Sequence, residues 1–288
     1  MFHNIALSGG GTHTLAFLGC VKYLEEIGEL KNIKNLIGAS AGSIFCLVLV
    51  LNWSYKDIYD LCIKELIPIV DKMSFSVWSL SKISSQYGMS DGKEVEHLVE
   101  KILEISKVDK DVTFLDLAKT YGKHIVIATT NLTSRKLEYL SVDTYPEMKL
   151  VTAIRMSTSI PILFTPVKYY DDLYVDSLVY NNFPVDFFSK FKIDTLGLNI
   201  VTSKESKKIN SWMDYICLLY AGFKDSVVQK SVKDFDYICN ICVNKVGNKF
   251  DILKMKFVLH KTFIDQLVDI GYNTLKDFYA SKGVTQGT

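Results

Sequence analysis

One pentapeptide narrows the fold of this chain more than any other feature. Gly38-Ala39-Ser40-Ala41-Gly42 is a G-x-S-x-G motif, preceded by the apolar run Asn35-Leu36-Ile37 and followed by an apolar stretch through Leu51. Small residues around the serine allow a sharp turn from strand to helix, with the hydroxyl standing above the sheet. The N-terminus of the following helix adds partial positive charge beside that hydroxyl. Taken alone, the spacing equally fits a small-residue strand-to-helix turn without chemistry. The chain upstream extends the pattern. Phe2 to Leu7 reads as a strand buried in a parallel sheet, Gly9-Gly10-Gly11 breaks it, and Leu15, Leu18, Val21 and Leu24 recur at helical spacing. Strand, glycine loop, helix, strand, tight turn, helix is the opening order of an α/β fold with a mostly parallel central sheet flanked by helices.

Further along, Ser54-Tyr55-Lys56-Asp57 predicts a capped helix to about Ile67, limited by Pro68. Residues 71–92 read as loop, and Glu94 to Ile105 is amphipathic. His124 to Ala128 and Lys136 to Ser141 read as strands, and Ala153 to Ser157 lies in a helix stopped by Pro161. Leu173-Tyr174-Val175 is a short strand running into Asp176, and Thr195 to Val201 is a late strand. The polar turn Lys204 to Lys208 suggests a boundary, with residues 1–202 as one domain and 203–288 as an extension packed on it. Trp212 to Tyr279 reads as mostly helical.

The 288 residues are 48% hydrophobic and 23% charged, a globular rather than disordered composition. Lys+Arg numbers 33 against 32 Asp+Glu, which excludes the broad basic field of a nucleic-acid-binding domain. Six scattered cysteines do not form a secreted disulfide framework, and Met1-Phe2-His3-Asn4 lacks the basic start of a signal peptide. Both point to a reducing, cytoplasmic compartment. Asn35 to Tyr55 carries no charge, but its solidly apolar part is Ile44 to Leu51, short of the about 20 residues a spanning helix needs. A buried core helix is expected there.

Two further features bear on chemistry. Ser8-Gly9-Gly10-Gly11-Thr12 presents backbone N–H groups at a helix start, an arrangement suited to a phosphate or an oxyanion. A dinucleotide fingerprint would need glycine at Thr14, and the Walker Lys-Ser/Thr pair is missing. Asp176, in Tyr174-Val175-Asp176-Ser177-Leu178, is placed to act as a base or orienting group near Ser40, although a lone aspartate is more often solvated or capping.

Together these features resemble the patatin-like phospholipases, lipid acyl hydrolases. Three blocks carry the resemblance: Leu7-Ser8-Gly9-Gly10-Gly11 through Leu18-Gly19-Cys20-Val21; Ile37-Gly38-Ala39-Ser40-Ala41-Gly42-Ser43-Ile44; and an ordered third block. That block runs from Ala153-Ile154-Arg155-Met156-Ser157 through Ser159-Ile160-Pro161, Pro166-Val167 and Tyr174-Val175-Asp176 to Asn181-Asn182-Phe183-Pro184-Val185. The likeness covers residues 1 to about 200, with an echo at Gly271-Tyr272. It implies a patatin-like three-layer fold and a serine esterase with a Ser–Asp dyad. Ser40 would be the nucleophile, Asp176 the base, and the amides of Gly10 and Gly11 the oxyanion hole. Gly9, Gly38 and Gly42 complete the motifs. The implied substrate is a phospholipid or other glycerolipid ester met at a membrane surface, with no metal and no cofactor. The chain departs from the family pattern at His13 and Thr14, and at Ser177 and Leu178, where glycine or alanine is usual. If position 177 requires positive φ, serine would be strained there by about 1–3 kcal/mol.

Other readings compete. Ser40, Asp176 and His260 follow the Ser–Asp–His chain order of α/β-hydrolase triads, but His260 sits in an apolar, helix-like context typical of packing or surface histidines. Cys239-Asn240-Ile241-Cys242 lacks the second ligand pair of a zinc site and reads as helix cysteines. The aromatic stretches Ser74 to Leu80 and Trp212 to Phe223 are candidates for interfacial docking, against a core reading. From another functional class, a catalytically weak lipid- or partner-binding protein would share the same fold.

Overall fold

The structure, a computed structural model, describes residues 1–72, 79–201, 234–243 and 259–283, with positions 218, 222, 232, 250–251 and 256–257 between them. The chain opens with β1 (Asn4–Leu7), α1 (Ala16–Glu26), β2 (Asn35–Ala39) and α2 (Ala41–Val50). Next come α3 (Tyr55–Leu61), α4 (Ile67–Lys72), α5 (Ser79–Gln86), β3 (Gly88–Ser90), α6 (Lys93–Ile105) and α7 (Phe114–Tyr121). The middle of the chain forms β4 (His124–Asn131), β5 (Lys136–Leu140), α8 (Leu150–Ser157), β6 (Ile162–Phe164), β7 (Val167–Tyr169) and β8 (Asp172–Asp176). It closes with β9 (Thr195–Val201), β10 (Ile238–Cys242), the short pair β11 (Phe250–Asp251) and β12 (Lys256–Phe257), and α9 (Lys261–Lys282).

The main sheet has the order β10-β9-β1-β2-β4-β8-β7, with β5 also paired to β4. From β10 to β4 all pairings are parallel, with Leu7 beside Gly38 and Ala39 beside Ala128. β5, β7 and β8 are antiparallel additions. Parallel strands are covered on both faces, so they read as continuous apolar runs, and all four residues of β1 are buried. One face carries the large core, including Phe17, Leu18 and Leu24 of α1, Leu47 of α2, and Ile264 and Leu267 of α9. The other face packs Ala6, Ile37 and Val126 against Phe183, Val185 and Phe188.

α1 and α9 cross with their backbones in contact. A Cβ built on Gly19 would stand 1.9 Å from the Val268 carbonyl oxygen, and one on Gly271 would stand 1.8 Å from that of Ala16. Two glycines 252 apart in sequence thus permit one helix pair.

Several elements differ from the sequence expectation, including strands β6 and β7, and β11 and β12 in the stretch read as mostly helical. The helix after Ser54 does not end at Pro68. A π-helical turn at Cys62–Leu66, directly before Pro68, shifts the hydrogen-bond ladder, and the helical backbone continues through α4. The 71–92 loop contains α5 and β3, the latter paired with β6. α7 lies where no element was expected, started by a capping box of Thr113 and Asp116. Residues 238–242 are a strand rather than a helix, because pairing with β9 dominates local preference. Cys239 is buried and Cys242 exposed, on opposite faces of that strand. Lys204 to Lys208, and most of Ser74 to Leu80 and Trp212 to Phe223, lie outside the described residues. Among the described residues no helix is long and apolar enough to cross a membrane.

Candidate active site

Ser40 is the single residue between β2 and α2, held at φ 50 and ψ −130. A non-glycine residue in this region costs about 1–3 kcal/mol and persists only when its surroundings fix it. The flanking glycines are there because backbone presses on them. A Cβ on Gly38 would come within 2.6 Å of the Ser43 nitrogen, and one on Gly42 within 2.6 Å of the Ser8 carbonyl oxygen. Three hydrogen bonds hold the turn. The Ser40 N–H donates to Ser157 Oγ at 2.9 Å, the Ser157 hydroxyl donates to the Ala128 carbonyl at 2.6 Å, and the Ser43 hydroxyl donates to the Ser40 carbonyl at 2.6 Å.

The Ser40 hydroxyl donates to Asp176 Oδ2 at 2.5 Å. Asp176 ends β8, opposite Thr129, and is fully buried. Its second oxygen accepts the Leu178 N–H at 2.8 Å, and its own N–H donates to the Ser159 carbonyl at 2.9 Å. Burial pushes this carboxyl up to about 7, against the lowering effect of the Ser40 and Leu178 hydrogen bonds. The acid thus titrates near neutrality, in the range that suits proton transfer.

The glycine loop lies against the same serine. A Cβ on Gly9 would stand 3.0 Å from Ser40 Cβ and 2.3 Å from Asn182 Oδ1. Asn182 clamps Gly9 from both sides, since its carbonyl accepts the Gly9 N–H at 2.9 Å and its side-chain amide donates to the Gly9 carbonyl at 3.1 Å. Gly11 has φ +55, the left-handed region that favours glycine. Thr14 donates its hydroxyl to the Gly11 carbonyl at 2.7 Å, closing the loop where the family pattern has glycine. The His13 ring packs on Phe263 of α9 at 6.0 Å.

Ser177 is not strained. It opens a 3-10 turn (Ser177–Val179) and is absent from the positive-φ residues, so the feared penalty does not arise. His260 is exposed and immediately precedes α9. The Asp176 carboxylate instead bonds Ser40 and Leu178.

Sequence reasoning assigned no role to three residues that fix this geometry. Ser157 and Asn182 hold the serine turn and the glycine loop. Arg155, buried in α8, donates to the Asp91 carbonyl at 2.7 Å, to the Thr165 carbonyl at 3.1 Å and to Ser159 Oγ. It thereby secures the loop whose Ser159 carbonyl receives the Asp176 N–H.

The sequence model of the family described as patatin-like phospholipase matches residues 5–189. A probable lipid hydrolase of Invertebrate iridescent virus 6 is 25% identical over 233 residues, covering 79% of this chain and 74% of that protein. An uncharacterized mimivirus protein is 28% identical over 285 residues, covering 95% of this chain and 92% of its own length. The crystal structure of VipD from Legionella pneumophila superposes with a TM-score of 0.61 at 17% identity, over 97% of this chain and 67% of that one. The type III effector ExoU does so with a TM-score of 0.53 at 16% identity, and there this chain spans 54% of the longer protein. By sequence over residues 5–189 and by fold, this chain is a member of the patatin-like phospholipase family.

Proposed function

We propose that this protein is a metal-independent lipid acyl hydrolase cleaving glycerolipid esters, phospholipids first, through an acyl-enzyme on Ser40. The observation that carries the proposal is the 2.5 Å hydrogen bond from the Ser40 hydroxyl to a buried Asp176 in a strained turn against a glycine loop. Ser40 Oγ attacks the ester carbonyl carbon while Asp176 takes the hydroxyl proton. Negative charge then develops on the carbonyl oxygen. The Ser40 N–H is committed to Ser157, so the Gly10 and Gly11 amides are assigned to receive that oxygen. As the tetrahedral intermediate collapses, Asp176 returns the proton to the departing glycerol oxygen. Water attacks the acyl-enzyme while Asp176 takes its proton, and as the second tetrahedral intermediate collapses Asp176 returns that proton to Ser40 Oγ, releasing the fatty acid. The dyad supplies both proton transfer and nucleophile, so no metal or cofactor is invoked.

We assign the chemistry to residues 1–202 and treat 203–288 as an extension packed on the same unit. The pairing of β10 with β9 and the seating of α9 on α1 support the packing of that extension on the same unit. Five free cysteines among the described residues support a reducing, cytoplasmic setting, and a lipid substrate would bring the protein into peripheral contact with membranes.

Fatty-acid release from mixed phospholipid vesicles in EDTA tests the reading. Wild type should release fatty acid, and Ser40→Ala and Asp176→Asn should each lose at least about a hundredfold in rate. No release by folded wild type would sink it in favour of a lipid-binding protein.

A further inference from the structure

The catalytic end of the sheet carries a feature that the dyad does not use. β4 runs parallel to β2, so Asn131 at its end lies on the side that carries Ser40. β8 is antiparallel to β4, with Asn131 opposite Tyr174 and Thr129 opposite Asp176. The strand from Asp176 back to Asp172 therefore extends about 13 Å beyond the dyad at the usual rise per residue.

Two turns project there side by side, Leu132 to Arg135 between β4 and β5, and Tyr170-Asp171 between β7 and β8. They are joined to each other. The Leu132 N–H donates to the Leu173 carbonyl at 2.8 Å, and the Leu173 N–H donates to Thr133 Oγ1 at 3.0 Å. Asn131 fixes their root, donating to Glu138 at 2.8 Å and Asp172 at 3.1 Å and accepting the Ser134 N–H at 3.0 Å. On this braced base Tyr170 is 82% exposed and Leu132 41% exposed. Arg135, Lys136 and Lys168 stand around them, all exposed. Among the described residues none of the three cations is ion-paired.

An exposed aromatic side chain, packed edge-on against Tyr169 at 4.6 Å, and an aliphatic one stand among three unpaired cations and one exposed carboxylate, Asp171, a net positive tip that matches a bilayer surface containing anionic phospholipid. We infer that these two hairpin tips dock the protein on such a surface, with the catalytic end of the sheet facing the lipid. The purpose of docking rests on the hydrolase reading, whereas its test does not. A net charge of +1 provides little attraction from the molecule as a whole, so the local cluster must supply it.

Cosedimentation with phosphatidylcholine vesicles, with and without phosphatidylserine, is the experiment, run in the Ser40→Ala background so that the lipid persists. Binding should depend on phosphatidylserine and weaken as salt rises. Replacing Arg135, Lys136 and Lys168 together with Glu should lower vesicle affinity at least about tenfold. Tyr170→Ser, at a position 82% exposed, should lower it as well. Parental affinity in both variants at unchanged melting temperature would overturn the inference, as would equal parental binding with and without phosphatidylserine. Tip-dependent binding beside a wild type that releases no fatty acid would leave the docking surface standing and remove the hydrolase reading.

Discussion

Asp176, the proposed base, is a carboxyl built in surroundings that oppose its charge. Because burial lifts its carboxyl to about 7, turnover should rise as pH climbs through that value and level off above it. Stability runs the other way. The folded carboxyl keeps its proton up to about 7, whereas the unfolded one releases it near the ordinary 3.8, so raising pH across this window removes stability. The loss reaches up to about 4 kcal/mol above neutrality. Asp176→Asn should therefore melt above wild type at alkaline pH, with the gap closing in acid. Coincident melts of the two proteins across the range would exclude burial as the cause. Ser157→Ala is the second informative change, since it leaves the Ser40 N–H and the Ala128 carbonyl without their shared partner. We expect about 1–3 kcal/mol lost in denaturant titration and at least about tenfold lost in initial rate of the folded protein. Ser40 and its glycines are legible in the sequence because a sharp turn demands small residues at fixed offsets, whereas Asp176 is singled out chiefly through the family resemblance. Ser157 and Asn182 are not legible, since each acts on a group 117 or 173 positions away and no local pattern records that contact.

At the scale of elements, local signals located the strands that carry the site. β1, β2, β4 and β9 are apolar runs bounded by turn residues, and such runs in a parallel sheet need little context. Where pairing across the sheet decides, the sequence misleads. β10 alternates buried Cys239 and Ile241 with exposed Asn240 and Cys242, a period of two that was hidden among helix-compatible residues. α7 was missed, although the Thr113–Asp116 box was a local signal that could have located it. The α1–α9 crossing makes the sharpest prediction at this scale. Alanine favours a helix over glycine by about 0.5–1 kcal/mol, yet at Gly19 or Gly271 its methyl would meet a backbone carbonyl. Net destabilisation of about 1–3 kcal/mol is expected for Gly19→Ala and for Gly271→Ala in chemical denaturation, and a stabilised variant would show that the helices can part freely.

For the whole molecule, topology places the functional parts together. Parallel strands send the glycine loop, the serine turn and the end of β4 to one end of the sheet, and the antiparallel β8 brings Asp176 back to it. The general α/β plan followed from the alternating elements of the first fifty residues, but the antiparallel margin that carries Asp176 did not, because pairing partners are not written in strand order. The contact between α1 and α9 also sets an order of events during synthesis. The helix that follows the glycine loop leaves the ribosome well before the helix that covers its glycine face. Until residues 261–282 emerge, the growing chain displays the bare side of α1, so completion of the loop's support waits on a contact between distant parts of the chain.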